Sequence, residues 1–127
     1  MATAHPLIAV VDDEQSVRRS LVRLLRAANW DAEAFASGEA LIDSLAVRPP
    51  ACVILDIHMP GLTGREVQRR IAMTGLNIPV IMMTAYDEPT LREQCLAAGA
   101  TAYLCKPLRA ETLLGAIENA VVGRARH

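Results

Sequence analysis

Short, strongly apolar runs alternate along this chain with longer stretches whose apolar residues recur every three or four positions. That alternation is the tightest constraint the sequence carries, because strand-sized runs separated by amphipathic helices pack as a parallel sheet with helices on both faces. The opening run, residues 7–11, is apolar almost throughout, as suits a strand covered from both sides. Val17, Leu21, Leu24, Leu25 and Ala28 then repeat at helical spacing, while Arg18, Arg19, Arg23 and Arg26 fall largely elsewhere. This predicts an amphipathic helix with a solvated arginine face. Residues 31–35 form a weaker second strand. Ser37 is placed to cap a second helix through Leu41 and Leu45, and the Pro49-Pro50 pair stops it.

Residues 51–55 give the clearest strand, which ends abruptly in Asp56. Thr63 and Glu66 have capping-box spacing, so a third helix is expected from there through Val67 and Ile71 to about Gly75. Residues 79–83 make a fourth strand, and Asp87 and Pro89 open a helix that Gly99 closes. Residues 101–105 make the fifth strand; Leu113, Leu114, Ile117 and Val121 mark the last helix. Five strand-helix units thus fill residues 1–123 as one domain, with 124–127 a tail or the start of a linker. The chain length of 127 residues agrees, since such a domain buries roughly two thirds of its unfolded surface and needs neither disulfides nor structural metal.

Several function classes drop out on composition. Cys52, Cys95 and Cys105 are widely spaced and form no CxxC pair, so they read as buried small hydrophobes in a reducing cytoplasm. Strand alternation is expected to turn Cys105 away from Lys106. Thirteen basic residues against 14 acidic ones leave a net charge of -1, and aromatics are only 3%. Direct nucleic-acid binding, which needs a basic surface or stacking platforms, is therefore not expected. The apolar runs are too short to span a membrane, and the N-terminus lacks a signal-peptide pattern.

Ligands of an open parallel sheet bind beyond the carboxyl ends of its strands. The first strand delivers Asp12, Asp13 and Glu14 there, the third Asp56, the fourth Thr84 and Ala85, the fifth Lys106 and Pro107. Carboxylates brought this close repel one another and demand a proton or a cation. Oxygen ligands without histidine or cysteine select an ion like Mg2+, which favours phosphate oxygens as further ligands. Asp56, alone at its strand end, is the candidate nucleophile for an aspartyl phosphate, with Asp12 and Asp13 as metal holders and Lys106 and Thr84 facing the transferred group.

These residues resemble the receiver domain of two-component response regulators, and the resemblance covers essentially the whole chain. It rests on Val11-Asp12-Asp13-Glu14, on Leu55-Asp56-Ile57-His58-Met59-Pro60-Gly61 with Gly64, on Met83-Thr84-Ala85, and on Tyr103-Leu104-Cys105-Lys106-Pro107. It implies a flavodoxin-like, doubly wound sheet of five parallel strands in the order 2-1-3-4-5 with five helices. It implies phosphorylation of Asp56 by a histidine kinase or phosphotransfer protein. Asp13, Asp56 and the His58 carbonyl would hold Mg2+, with Asp12 reaching it through water. Lys106, Thr84 and the Ala85 amide would cradle the phosphoryl group, and the Lys106-Pro107 peptide would be cis. Thr84 and Tyr103 would form a switch that alters the surface of the fourth helix, fifth strand and fifth helix, for a partner, an output domain or a second copy. His58 and Tyr86, each two residues beyond a site residue, would rim the phosphate and tune its lifetime.

Three other readings share parts of the pattern. A flavodoxin-like electron carrier has the same architecture, but its phosphate loop would not carry three acids. An aspartate-nucleophile phosphatase would need a second acid beside Asp56 and a cap. A degenerate receiver acting without phosphorylation would not need the complete acid set.

Overall fold

The computed structural model describes residues 6–125, the last two by backbone alone. Residues 1–5, which bear on the leader reading, and Arg126 and His127 of the expected tail lie outside the described residues. Within them the strands are β1 (Leu7–Val11), β2 (Asp31–Phe35), β3 (Cys52–Asp56), β4 (Val80–Thr84) and β5 (Ala102–Cys105). They form one sheet in the order β2-β1-β3-β4-β5, with every pairing parallel. The connecting helices are α1 (Gln15–Ala27), α2 (Gly38–Ser44), α3 (Gly64–Met73), α4 (Pro89–Ala97) and α5 (Ala110–Ala125). The expected five-stranded, doubly wound architecture is thus the one observed.

Strand alternation divides the core into two layers. Ile8, Val10, Ile54, Ile81 and Met83 point to one face, where Leu21 and Leu25 of α1 and Leu113 and Ile117 of α5 cover them. Ala9, Val11, Leu55 and Met82 point to the other, against Leu41 of α2, Val67 and Ile71 of α3 and Cys95 of α4. All five residues of β1, β3 and β4 are buried. Each of their large aliphatic side chains contributes about 1.5–3 kcal/mol by leaving water, so the central strands fix the framework on which the loops stand.

Local differences from the expectations have local causes. Asp56 and Thr84 are the last residues of β3 and β4 rather than the first beyond them. Asp56 pairs with Met83, and the Ile57 amide still donates to the Met83 carbonyl at 3.0 Å. Helix α2 ends at Ser44, short of Leu45 and the prolines, because the Ser44 hydroxyl donates to the Leu41 carbonyl at 2.6 Å and Leu45 donates to Ile42, tightening the last turn. Pro89 is the first residue of α4, but its N-cap is Glu88 instead of Asp87. Cys52 and Cys95 are buried, whereas Cys105 is exposed, contrary to the expectation. It closes β5, the edge strand, where nothing among the described residues pairs with the outer side of the sheet. Partial desolvation and then the Asp87 carboxylate raise its thiol pKa, so Cys105 gains no thiolate character.

The loop from β3 to α3 holds its shape through Thr63 and Gly64. Thr63 accepts from the Glu66 amide at 3.3 Å, and Glu66 accepts from the Thr63 amide at 3.1 Å, the reciprocal pair of a capping box. Gly64 then packs so tightly that a Cβ there would lie 2.4 Å from the Asp56 carbonyl oxygen and 2.7 Å from Ile57 Cα. That contact is with backbone, which cannot rotate aside. Gly115, inside α5, would place a Cβ in open space. Gly64→Ala is expected to lose about 1–3 kcal/mol in urea denaturation, and Gly115→Ala to gain about 0.5–1 kcal/mol. Equal effects of the two substitutions would contradict this account of the loop.

Candidate functional site

Four strand ends deliver the polar residues to one edge of the sheet. Asp12 follows β1 and is fully buried. Its Oδ1 accepts from the Glu14 amide at 2.8 Å, its Oδ2 accepts from Lys106 Nζ at 2.7 Å, and its carbonyl accepts from Arg18 Nη1 at 2.8 Å. Asp56 ends β3, only 4% exposed, with Lys106 Nζ 3.5 Å from Oδ1. Asp13 is exposed beside them. One carboxylate oxygen from each of Asp12, Asp13 and Asp56 lies within 4.8 Å of the others. The structure therefore brings together the three acids and the lysine that the sequence placed at the ends of three strands.

Electrostatics follow from this crowding. Burial, then the Asp12 charge, push the Asp56 carboxyl up to about 6; Lys106 and the His58 amide pull against that rise, and Asp13 adds to it. Burial works to lower Lys106, but the hydrogen bond to Asp12 and the charges of Asp56 and Asp12 outweigh it and leave the ammonium raised. One ammonium pairs with two of three clustered carboxylates, so the cluster keeps an excess of negative charge that an added cation would relieve. The donor set is oxygen only and fits a hard divalent ion.

The remaining predicted residues lie around this centre. Thr84 is fully buried at the end of β4, and its hydroxyl turns back on its own chain, donating to the Tyr86 carbonyl and accepting from the Tyr86 amide, both at 3.0 Å. Ala85 is exposed next to it. His58 and Tyr86 are both exposed and meet edge to face, with ring centroids 5.6 Å apart and planes at 75°. Tyr103 is 5% exposed, already packed into the core. Its hydroxyl accepts from the Glu88 amide at 3.5 Å, and the Arg92 guanidinium lies 5.6 Å from its ring centroid. The Lys106-Pro107 peptide is cis, as the resemblance implied.

Sequence reasoning passed over three supporting residues. Arg18 was read as part of a solvated face, yet it is half-buried and holds the Asp12 carbonyl. Gln68 is 5% exposed and donates from Nε2 to the Cys95 carbonyl at 3.0 Å, tying α3 to α4. Its position beside Val67 on the inner face of α3 was the only available signal. Arg92 gave none, because its partner Tyr103 lies on another element.

A cluster of acids facing one lysine at the carboxyl edge of a parallel sheet defines a class of α/β domain built to hold a cation and an anionic group together. The response regulator receiver domain matches residues 8–118, and the chain belongs to that family. Response regulator MprA of Mycolicibacterium vanbaalenii is 41% identical over 107 residues, which cover 84% of this chain and 46% of that protein. Response regulator protein TmoT of Ectopseudomonas mendocina is 34% identical over 121 residues, 95% of this chain and 55% of that protein. The chain thus spans about half the length of the curated relatives it matches. Among solved structures, the chemotaxis protein CheY4 of Vibrio cholerae superposes with a TM-score of 0.86 at 28% identity, covering 92% of this chain and 99% of that one. No helix among the described residues is long and apolar enough to cross a membrane.

The raised Asp56 pKa sets a pH dependence of stability. Its folded value of about 6 stands above its ordinary 3.8, so the folded state holds the proton more tightly than the unfolded chain does. Stability is then highest below the ordinary value and is lost as pH rises through 6, by about 1–3 kcal/mol at neutral pH after solvent screening. In metal-free buffer Asp56→Asn is expected to raise unfolding free energy by about 1–3 kcal/mol at neutral pH, with the gain vanishing in mild acid. A gain of the same size in acid and at neutral pH would show that ionisation of Asp56 is not the cause.

Proposed function

We propose that this chain is a phosphorylation-operated signalling switch in which Asp56 is the phosphoacceptor. The observation that carries the reading is the convergence of the Asp12, Asp13 and Asp56 carboxylates, with Lys106 Nζ against Asp12 and Asp56. A carboxylate oxygen of Asp56 attacks the phosphorus of a phosphohistidine on a histidine kinase or phosphotransfer protein. The P–N bond breaks, its electron pair returns to the imidazole, and that ring takes up a proton. Asp13, Asp56 and the His58 carbonyl would hold Mg2+, with Asp12 reaching it through water, and the ion would neutralise charge on the phosphoryl oxygens. Lys106, at 3.5 Å from Asp56, is positioned to pair with the new phosphoryl group. The Thr84 hydroxyl would leave the Tyr86 backbone and, with the Ala85 amide, bind a phosphoryl oxygen.

The switch follows from where Thr84 and Tyr103 sit. The single Thr84 O–H proton can go to the Tyr86 carbonyl or to a phosphate oxygen, but not to both at once. Moving it changes the space beside the Tyr103 ring and hence the surface of α4, β5 and α5. We infer that this surface binds an output domain or partner protein, or a second copy of the chain. Such a domain is a phosphoacceptor in the cytoplasm rather than an enzyme acting on an external substrate; it binds neither DNA nor a membrane directly. The domain would run through Ala125, where α5 ends, two residues past the boundary expected at 123, with any linker or tail beginning after it.

Incubation with acetyl phosphate and Mg2+ is expected to add one phosphoryl mass, removable by hydroxylamine, and to add none to Asp56→Asn or in the presence of a chelator. Labelling of Asp56→Asn at the wild-type level would overturn the assignment. His58 and Tyr86, in contact at the rim, would control water access to the acyl phosphate. His58→Ala and Tyr86→Ala are each expected to change the dephosphorylation rate several-fold, about 1 kcal/mol in barrier. Unchanged rates in both would remove the rim from the mechanism.

A further inference from the structure

The arginine face of α1 is not uniformly solvated. Arg19, Val22, Arg23 and Arg26 stand at i, i+3, i+4 and i+7, which places them in one stripe along the helix. The stripe lines a groove of about 600 Å3 between α1 and β2, completed by Gln15, Arg18 and Ala34. No acidic residue lines it.

The arginines differ in what they hold. Arg18 and Arg26 each donate to a backbone carbonyl, Asp12 at 2.8 Å and Ala32 at 3.1 Å. Arg19 and Arg23 are exposed and have no hydrogen-bond or ion-pair partner among the described residues. They stand one turn apart, so their like charges disfavour each other in the free protein.

The geometry also restricts the occupant. Around β1, Asp31 donates to the Pro6 carbonyl and Asp12 donates to Phe35, so alternate residues of β2 turn their backbone outward. Ala32 is one of these, and Arg26 already takes its carbonyl. An added strand would have to displace that bond, so recognition falls to side chains. A long phosphate backbone is disfavoured at the other end, where the exposed carboxylates of Asp13 and Glu14 adjoin the helix start.

We propose that the groove docks an acidic amphipathic helix of a partner protein. Carboxylates spaced three or four residues apart would meet Arg19 and Arg23, and an apolar residue between them would cover half-buried Val22. The proposal does not depend on phosphorylation of Asp56.

The probe is a synthetic helical peptide with glutamate at i, i+4 and i+7 and leucine at i+3 of one face. A scrambled peptide of the same composition, a single-stranded oligonucleotide and phosphatidylserine vesicles serve as competitors. Amide shifts of the intact chain should change along α1 and at Ala34, and the scrambled peptide should bind about tenfold more weakly. The double variant Arg19→Ala, Arg23→Ala should lose about tenfold in affinity while keeping or slightly raising its thermal midpoint, since neither side chain has a partner to lose and their mutual repulsion is removed. The reversal Arg19→Glu, Arg23→Glu should reject this peptide and accept its lysine counterpart. Equal binding of the scrambled peptide, tighter binding of oligonucleotide or vesicles, or shifts confined to other elements would each overturn the proposal.

Discussion

Lys106 Nζ lies 2.7 Å from Asp12 and 3.5 Å from Asp56, and it is the positive charge that lets buried carboxylates coexist at the edge of this sheet. Charge removed from water is tolerated only when it is paired and hydrogen-bonded. Asp12 meets that condition fully, through Lys106 and the Glu14 amide. Asp56 meets it only in part, and burial beside Asp12 holds its carboxyl near 6. The incompletely compensated group is the one whose chemistry is proposed. An aspartate stabilised as thoroughly as Asp12 would have less to gain from a cation or a phosphoryl group.

The rest of the fold can be understood as the support for that arrangement. Central strands buried on both faces set the positions of Asp12, Asp56 and Thr84 through their backbone register. Gly64 lets α3 start directly against the Asp56 carbonyl, so the loop carrying His58 is held between a strand end and a capped helix. Thr84 and Tyr103, on adjacent strands, are both buried, and each has a backbone hydrogen-bond partner in the segment leading into α4. That segment thus receives contacts from both side chains. Gln68 fixes the other end of α4 through the Cys95 carbonyl. Under the proposed switch, a helix tied at its far end and contacted near its start would report a change at Thr84.

Much of this was legible in the chain. Period-two and helical patterns located the strands and helices, and the Thr63/Glu66 capping box and Ser37 cap form as their spacing indicated. These features depend on residues close in sequence, where local geometry decides the outcome. The departures were positions governed by contacts with other elements. Asp56 joins β3 because Met83 is there to pair with it, Cys105 is exposed because β5 is the sheet edge, and Arg18 turns to the Asp12 carbonyl.

By itself, then, the sequence determined an alternating five-strand, five-helix architecture and which acids, hydroxyl and lysine stand at the strand ends, since periodicity and turn chemistry are local. Only the tertiary structure decided that Lys106 bonds Asp12 more closely than Asp56, that Thr84 is engaged with Tyr86, that Tyr103 is already inside the core, and that Arg19 and Arg23 lack partners among the described residues. Those outcomes depend on distances between residues far apart in the chain. Such distances are set by how helices and strands pack, and no local pattern encodes them.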